Sequence, residues 1–266
     1  MGHIIAIANQ KGGVGKTTSA ISLAAALAIA ERPTLLVDID PQGSTTKGLG
    51  LKPGPAGDMY SVLSGEVPFE EILVPTELQY LSVAPASRDL VGIELELVQS
   101  AGRETRLKEA LEPIRDRFHF ILIDCPPSLG LLTVNALTAA DGLMIPVQCE
   151  YLALEGVSQM VETLQRIQAA LNPALVLEGV LLTMFDERTN LARQVVNDLR
   201  DYFKEKVYRS IVPRNVRLGE APSFGRPIML YDIRSKGSEA YMNLAREVIL
   251  HHEKASARER TQQPHP

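Results

Sequence analysis

The sequence predicts an α/β fold, a mostly parallel twisted sheet with helices on both faces, in a single domain over residues 1–250. Three observations predict it. Aliphatic runs alternate with helical patterns along the 266 residues, and such alternation favours parallel pairing. The runs are near-continuous in Ile, Leu and Val, with no Trp and only 5% aromatic residues; strands buried on both faces read this way. A glycine-rich segment, Gly12–Gly15, separates the first run from an Ala-rich helix. Strand, glycine loop and helix in that order are the setting of a phosphate-binding loop.

Strands are expected at 4–8, 34–38, 80–84, 119–123, 143–147, 176–182 and 207–212. Helices are expected at 16–30, 104–117, 130–139, 154–171, 191–205 and 237–250. Helix 16–30 is apolar on most sides and should pack on the sheet. Pro33 falls where that helix must have ended. Residues 50–57 combine two prolines with three glycines and read as a loop. The polar segment 251–266 has two prolines and no apolar period, so it is expected to be a disordered tail.

Composition excludes several classes. No apolar run has the roughly 20 residues of a membrane span. Residues 4–8 lack a basic flank and lead into the glycine loop, so they read as a strand and not a signal core. Position 6 is Ala, which argues against myristoylation of Gly2. Two cysteines, Cys125 and Cys149, give no disulfide framework, and a reduced cytoplasmic chain is expected. The net charge of −5 conceals an asymmetry. Residues 1–187 carry 12 Lys/Arg against 23 Asp/Glu, a net −11, whereas residues 188–260 carry 15 against 9, a net +6. A basic C-terminal third suits either a solvated surface or a polyanionic partner.

Residues 10–18 read Gln-Lys-Gly-Gly-Val-Gly-Lys-Thr-Thr. Gly12, Gly13 and Gly15, with Val14 between them, let backbone N–H groups turn inward. Those donors and the following helix N-terminus favour a polyanion. Lys16 is placed to neutralise β- and γ-phosphates, Thr17 to bind Mg²⁺ through its hydroxyl, and Thr18 to donate to the α-phosphate. The ordinary pattern wants Gly at position 10, which is Gln, and a second lysine, Lys11, precedes the glycines.

Two strand ends carry carboxylates. Residues 34–43 run from a buried strand through Asp38 and Asp40 into a loop, and ligands bind at the C-terminal ends of strands in open α/β sheets. Residues 119–127 place four apolar residues before Asp124, the form of a strand whose aspartate holds Mg²⁺ directly or through water. Pro126 and Pro127 stop that strand. Cys125 reads as a packed small residue.

The motif Lys-Gly-Gly-x-Gly-Lys-Thr-Thr resembles the deviant Walker A family of P-loop ATPases, which includes ParA/Soj, MinD and the nitrogenase iron protein. Segments 124–137, 145–156, 180–191 and 212–232 are similar to the ParA/Soj branch, so the resemblance spans about 1–250. It implies an ATPase using ATP and Mg²⁺, with weak basal turnover and Asp40 orienting the attacking water. Asp38 is then an outer-shell magnesium group beside Thr17 and Asp124. The resemblance implies that Lys11 reaches the partner's phosphates in an ATP-sandwich homodimer. It places Pro213 and Asn215 over the adenine. Non-specific double-stranded DNA is assigned to Arg188 and Arg217, with Arg226, Arg234, Lys236 and Arg246 contributing. A ParB-like centromere-binding protein is the implied stimulating partner, and nucleoid association follows. With no helix-turn-helix segment ahead of the glycine loop, the chain resembles the short chromosomal type, and site-specific operator binding is not expected.

Other readings fit less well. A MinD-like positioning ATPase needs a C-terminal amphipathic membrane helix. Tyr241, Leu244, Val248 and Ile249 form an apolar stripe, but it reads as core-facing and no membrane partner is expected. An iron–sulfur reductase needs cluster ligands that the two cysteines do not supply. A plasmid or protein-cargo partitioning ATPase remains the alternative within the same mechanism.

Overall fold

The structure is a computed structural model that describes the backbone of residues 2–262 and the side chains of residues 2–254. Its strands are β1 (His3–Ile7), β2 (Thr34–Asp38), β3 (Val74–Pro75), β4 (Leu81–Ala84), β5 (Phe120–Asp124), β6 (Gly142–Gln148) and β7 (Val176–Thr183). They form one sheet in the order β3-β4-β2-β5-β1-β6-β7. Every neighbouring pair is parallel except β3 with β4. The expected mostly parallel sheet is therefore present.

The helices are α1 (Lys16–Ile29), α2 (Ser44–Gly48), α3 (Met59–Ser64), α4 (Leu90–Glu96), α5 (Arg106–Leu111), α6 (Leu131–Ala139), α7 (Ala153–Ala170), α8 (Asn190–Phe203), α9 (Val216–Glu220), α10 (Ile228–Tyr231) and α11 (Lys236–Gln262). Side chains alternate across the central strands, as the two-residue period requires. Ile4 and Ala6 join the core under α6 and α7, while Ile5 and Ile7 join the core under α1 and α11. The sheet is thus covered on both faces.

Four differences from the sequence expectations have identifiable causes. Residues 207–212 do not form a strand; they touch β7 through the isolated bridge Val180–Val207 and two backbone hydrogen bonds. The backbone N–H groups of Arg209 and Ser210 donate instead to the Glu247 carboxylate on α11, at 2.9 and 2.7 Å, which takes them out of any ladder. The segment 104–117 splits into α5 and a 3₁₀ turn over Glu112–Arg117, where Pro113 supplies no N–H to continue the α-helix. The edge strand β3 has two residues, one a proline, and is too short to leave a pattern in the sequence. Finally, α11 continues through residues 251–262, where the sequence predicts a disordered tail. The His252 ring packs against His3 and Phe120 at 5.0 and 5.4 Å between centroids, and Glu253 pairs with Arg32 at 2.8 Å. Residues 263–266 lie outside the described residues.

Leu244 is fully buried between α11 and the sheet, whereas Leu250 is 51% exposed. Leu244→Ala should lower the unfolding free energy by about 2–5 kcal/mol, and Leu250→Ala by about 0.5 kcal/mol or less. Urea unfolding of the two variants measures the contrast.

Candidate functional site

The loops leaving β1, β2 and β5 meet at the C-terminal edge of the sheet. There β1 has β5 on one side and β6 on the other, so the connections diverge to either side of it, the usual crevice for ligands in open α/β sheets.

The loop after β1 is tied down from beneath. Asn9 donates from Nδ2 to Pro146 O at 2.8 Å and accepts from Lys11 N at 3.0 Å. Thr183, at the end of β7, donates to Val14 O at 2.9 Å. Gln10, the departure from the ordinary motif, donates to Thr163 at 3.3 Å. Gly13 and Gly15 have φ of +75° and +89°, values that side chains with a Cβ rarely adopt. A Cβ built on Gly12 or Gly13 would meet no protein atom within 4 Å, so these glycines leave room on the outer side of the loop. Gly15 precedes α1 and no side chain caps that helix. Its first N–H groups are therefore free for an anion.

Lys16 lies inside this loop, 7% exposed, with Nζ donating to Lys11 O at 3.2 Å. Burial lowers its pKa, while Asp124, Cys125 and Asp40 pull it back up. The Lys11 side chain, by contrast, points to solvent.

Asp38 and Asp124 are register partners at the ends of β2 and β5, and both are fully buried. Burial raises the Asp38 pKa to about 6, against the hydrogen bonds from Thr46 and Asp40. Burial and then the neighbouring Asp38 raise Asp124 to about 7, against the Thr45 and Thr17 hydroxyls. Asp38 accepts from Asp40 N at 3.2 Å and from the N and Oγ1 of Thr46 at 2.8 and 2.7 Å, so both its oxygens are taken up by its own chain. Asp124 Oδ2 accepts from Thr45 at 2.8 Å, and Oδ1 is buried with no hydrogen bond. Asp40 is 9% exposed and accepts from Gln42 N through Oδ1 at 2.9 Å. An unpartnered buried carboxylate oxygen beside the Thr17 hydroxyl fits Mg²⁺, which takes one or two protein ligands and completes its shell with phosphate and water. Thr45 and Thr46 escaped the sequence reading; their only signal was a run of three hydroxyl residues, Ser44 to Thr46, after the Asp-Pro-Gln-Gly turn.

A cavity of about 330 Å³ opens beside α1, lined by Gly15, Thr18, Met184, Pro213, Asn215 and Tyr241 among others. Pro213, one of its lining residues, is held by an isolated bridge to Phe185. Asn215 accepts from Arg217 N at 2.8 Å and caps α9. Its Oδ1 is thus engaged, and Nδ2 remains to donate.

Four of the six basic candidates, Arg188, Arg217, Arg226 and Arg246, have side-chain partners within the chain. Arg217 and the backbone of Arg234 converge on Asp232, at 3.7 and 3.2 Å, with Lys236 two residues on. Arg217 also pairs with Glu220 at 2.9 Å, and Arg226 faces Glu77 at 3.6 Å. Arg188 forks onto Asp186 at 2.9 and 2.7 Å, holding that carboxyl down at about 2. Arg246 donates to Asn243 at 3.1 Å, about 15 Å along α11 from Lys236 at the helical rise.

The raised carboxylates set a pH dependence. Between their folded pKa values and the ordinary range near ~4, the folded state binds more protons than the unfolded state, so stability rises as pH falls. Nucleotide-free and metal-free protein should therefore gain stability as pH drops through about 7. Asp124→Asn should flatten that gain, as read from urea midpoints against pH; an unchanged profile in the variant contradicts the assignment.

Residues 2–177 match the family model described as an AAA domain. The chain is 59% identical to the chromosome partitioning protein ParA of Myxococcus xanthus, over 94% of this chain and 88% of that protein. It is 54% identical to the sporulation initiation inhibitor protein Soj of Bacillus subtilis, over 93% and 98%. Among solved structures it resembles cobyrinic acid a,c-diamide synthase from Mycobacterium smegmatis with bound ADP and magnesium. That match has 40% identity and a TM-score of 0.83, covering 96% and 97% of the two chains. It also resembles the cell division ATPase MinD of Pyrococcus furiosus, at 26% identity and a TM-score of 0.77, covering 93% and 98%. With such identities sustained across nearly the whole of both curated relatives, the chain belongs to the ParA/Soj family of chromosome-partitioning ATPases.

Proposed function

We propose that the chain is an ATP-driven partitioning switch. The observation that carries the reading is the meeting of an uncapped α1 N-terminus, the buried Lys16 and the unpartnered Asp124 Oδ1 at one loop. Backbone N–H groups and Lys16 together bind a nucleotide polyphosphate. Thr17 and Asp124 would hold Mg²⁺, which would supply positive charge to offset that of the phosphates. The base enters the cavity walled by Pro213 and Asn215, whose Nδ2 suits a ring nitrogen of adenine. Asp40 keeps Oδ2 free of its Gln42 contact and orients the attacking water.

Lys11 extends outward from the loop, toward the phosphates of a second copy in an ATP-sandwich dimer. That arrangement resembles an arginine finger supplied in trans. The dimer binds double-stranded DNA without sequence preference through the basic C-terminal third and so associates with the nucleoid. A ParB-like partner on centromere-like DNA stimulates a weak basal hydrolysis. Loss of the γ-phosphate contacts then releases both the dimer and the DNA.

Lys16→Ala should abolish ATP binding in calorimetry, and retained micromolar affinity would remove the loop from the mechanism. Asp40→Ala should bind ATP and dimerise but stall phosphate release; near-normal release contradicts its role. Arg188→Ala and Arg217→Ala should each lower the slope of log affinity for DNA against log salt by about 0.9 for every phosphate no longer neutralised, with dimerisation intact. Wild-type slopes in both variants move the DNA surface elsewhere. The reading as a whole is tested by ATP turnover with and without DNA and the partner's N-terminal peptide. Stimulation by neither overturns it.

A further inference from the structure

Helix α2 carries two consecutive threonines whose hydroxyls go to different carboxylates. Thr45 donates to Asp124 Oδ2 at 2.8 Å. Thr46 donates to Asp38 Oδ2 through Oγ1 at 2.7 Å and through its backbone N at 2.8 Å. None of these four residues is more than 2% exposed, so bulk water does not substitute for either hydroxyl. A threonine hydroxyl has a single proton to give, and each is committed to a carboxylate. Thr46 Oγ1 also accepts from Ala86 N at 3.0 Å, just beyond β4. Asp38 passes the constraint on, because its Oδ1 accepts from Asp40 N at 3.2 Å. One hydrogen-bonded chain therefore runs from Ala86 through Thr46 and Asp38 to the Asp40 backbone. A second runs from the same helical turn to Asp124 and leaves Oδ1 as its unpartnered oxygen.

We propose that Thr45 and Thr46 are positioning residues for the hydrolysis, with Thr45 presenting Asp124 Oδ1 to the metal and Thr46 fixing Asp40 through Asp38. Because the two are adjacent on one short helix, metal loading and placement of the attacking water are set by the same element. The inference rests on the ATPase reading above. Valine matches threonine in shape, so a purely packing role tolerates it, whereas a hydroxyl that orients a metal ligand does not. Groups that hydrogen-bond a ligating carboxylate typically change metal affinity by about 10- to 100-fold when removed.

The test uses the full chain with ADP and Mn²⁺ as the paramagnetic probe. Free Mn²⁺ is read by electron paramagnetic resonance, and ADP affinity is measured separately in EDTA. Thr45→Val should weaken Mn²⁺ binding by about 10- to 100-fold while ADP affinity in EDTA stays at the wild-type value. Thr45→Ser, which keeps the hydroxyl, should restore Mn²⁺ affinity. Wild-type Mn²⁺ affinity in Thr45→Val, or an equal loss in Thr45→Ser, overturns the proposal. Failure of the wild-type chain to bind Mn²⁺ with ADP overturns the ATPase reading itself, which separates the two. Should Thr45→Val not fold, Thr46→Val decides the other half. Its kcat should fall at an unchanged KM for ATP, with recovery in Thr46→Ser; an unaltered kcat in Thr46→Val overturns the inference.

Discussion

Two carboxylates lie side by side at the ends of β2 and β5 with no exposure to water. Parallel pairing enforces this proximity, since Asp38 and Asp124 are opposite one another in the register. Burying like charges is costly unless hydrogen bonds or cations compensate. Much of the surrounding structure serves that need. Thr45, Thr46 and the Asp40 backbone supply donors, and Lys16 supplies nearby positive charge. One oxygen is left over. A protein that leaves a buried oxygen unpaired is poised to bind whatever satisfies it.

The same compensation organises the moving parts of the proposed switch. Helix α2 has no large apolar side chain of its own, and besides its packing on α1 it is tied to β2 and β5 by hydrogen bonds to two buried carboxyl groups. Such bonds are strong when made and expensive when broken, so a small change in charge at the loop is felt along the whole segment. The P-loop itself is anchored independently, by Asn9 to β6 and by Thr183 from β7. A fixed cradle beside a charge-sensitive segment is a suitable division of labour for a nucleotide-dependent switch.

The sheet and most long helices were legible because burial on both faces gives unbroken aliphatic runs, and because α1, α7 and α8 are long enough to show a helical period. The glycine loop was legible because Gly12, Gly13, Gly15 and Lys16 fall at fixed offsets. What stayed hidden depended on contacts distant in sequence. Glu247 draws Arg209 and Ser210 away from β7 across about forty residues of chain, and no local pattern encodes that. His252 and Glu253, in the first turn beyond residue 250, find their partners in His3 and Arg32, more than two hundred residues away. Within the site, Thr45 and Thr46 look like ordinary polar residues until the register of β2 and β5 places two carboxylates above them. The basic residues were legible as an excess of charge but not as a surface, since Asp186, Glu220, Asp232 and Glu77 already pair with several of them.

The last helix closes on the first elements of the chain. Tyr241 bonds to Ser19 at 2.9 Å within α1 and also lines the cavity beside Gly15 and Thr18, while His252 packs on His3 and Phe120. During synthesis the glycine loop leaves the ribosome early, yet one wall of its pocket is made more than two hundred residues later. The cavity beside the phosphate loop is therefore a long-range product of folding, complete only once α11 has packed on α1.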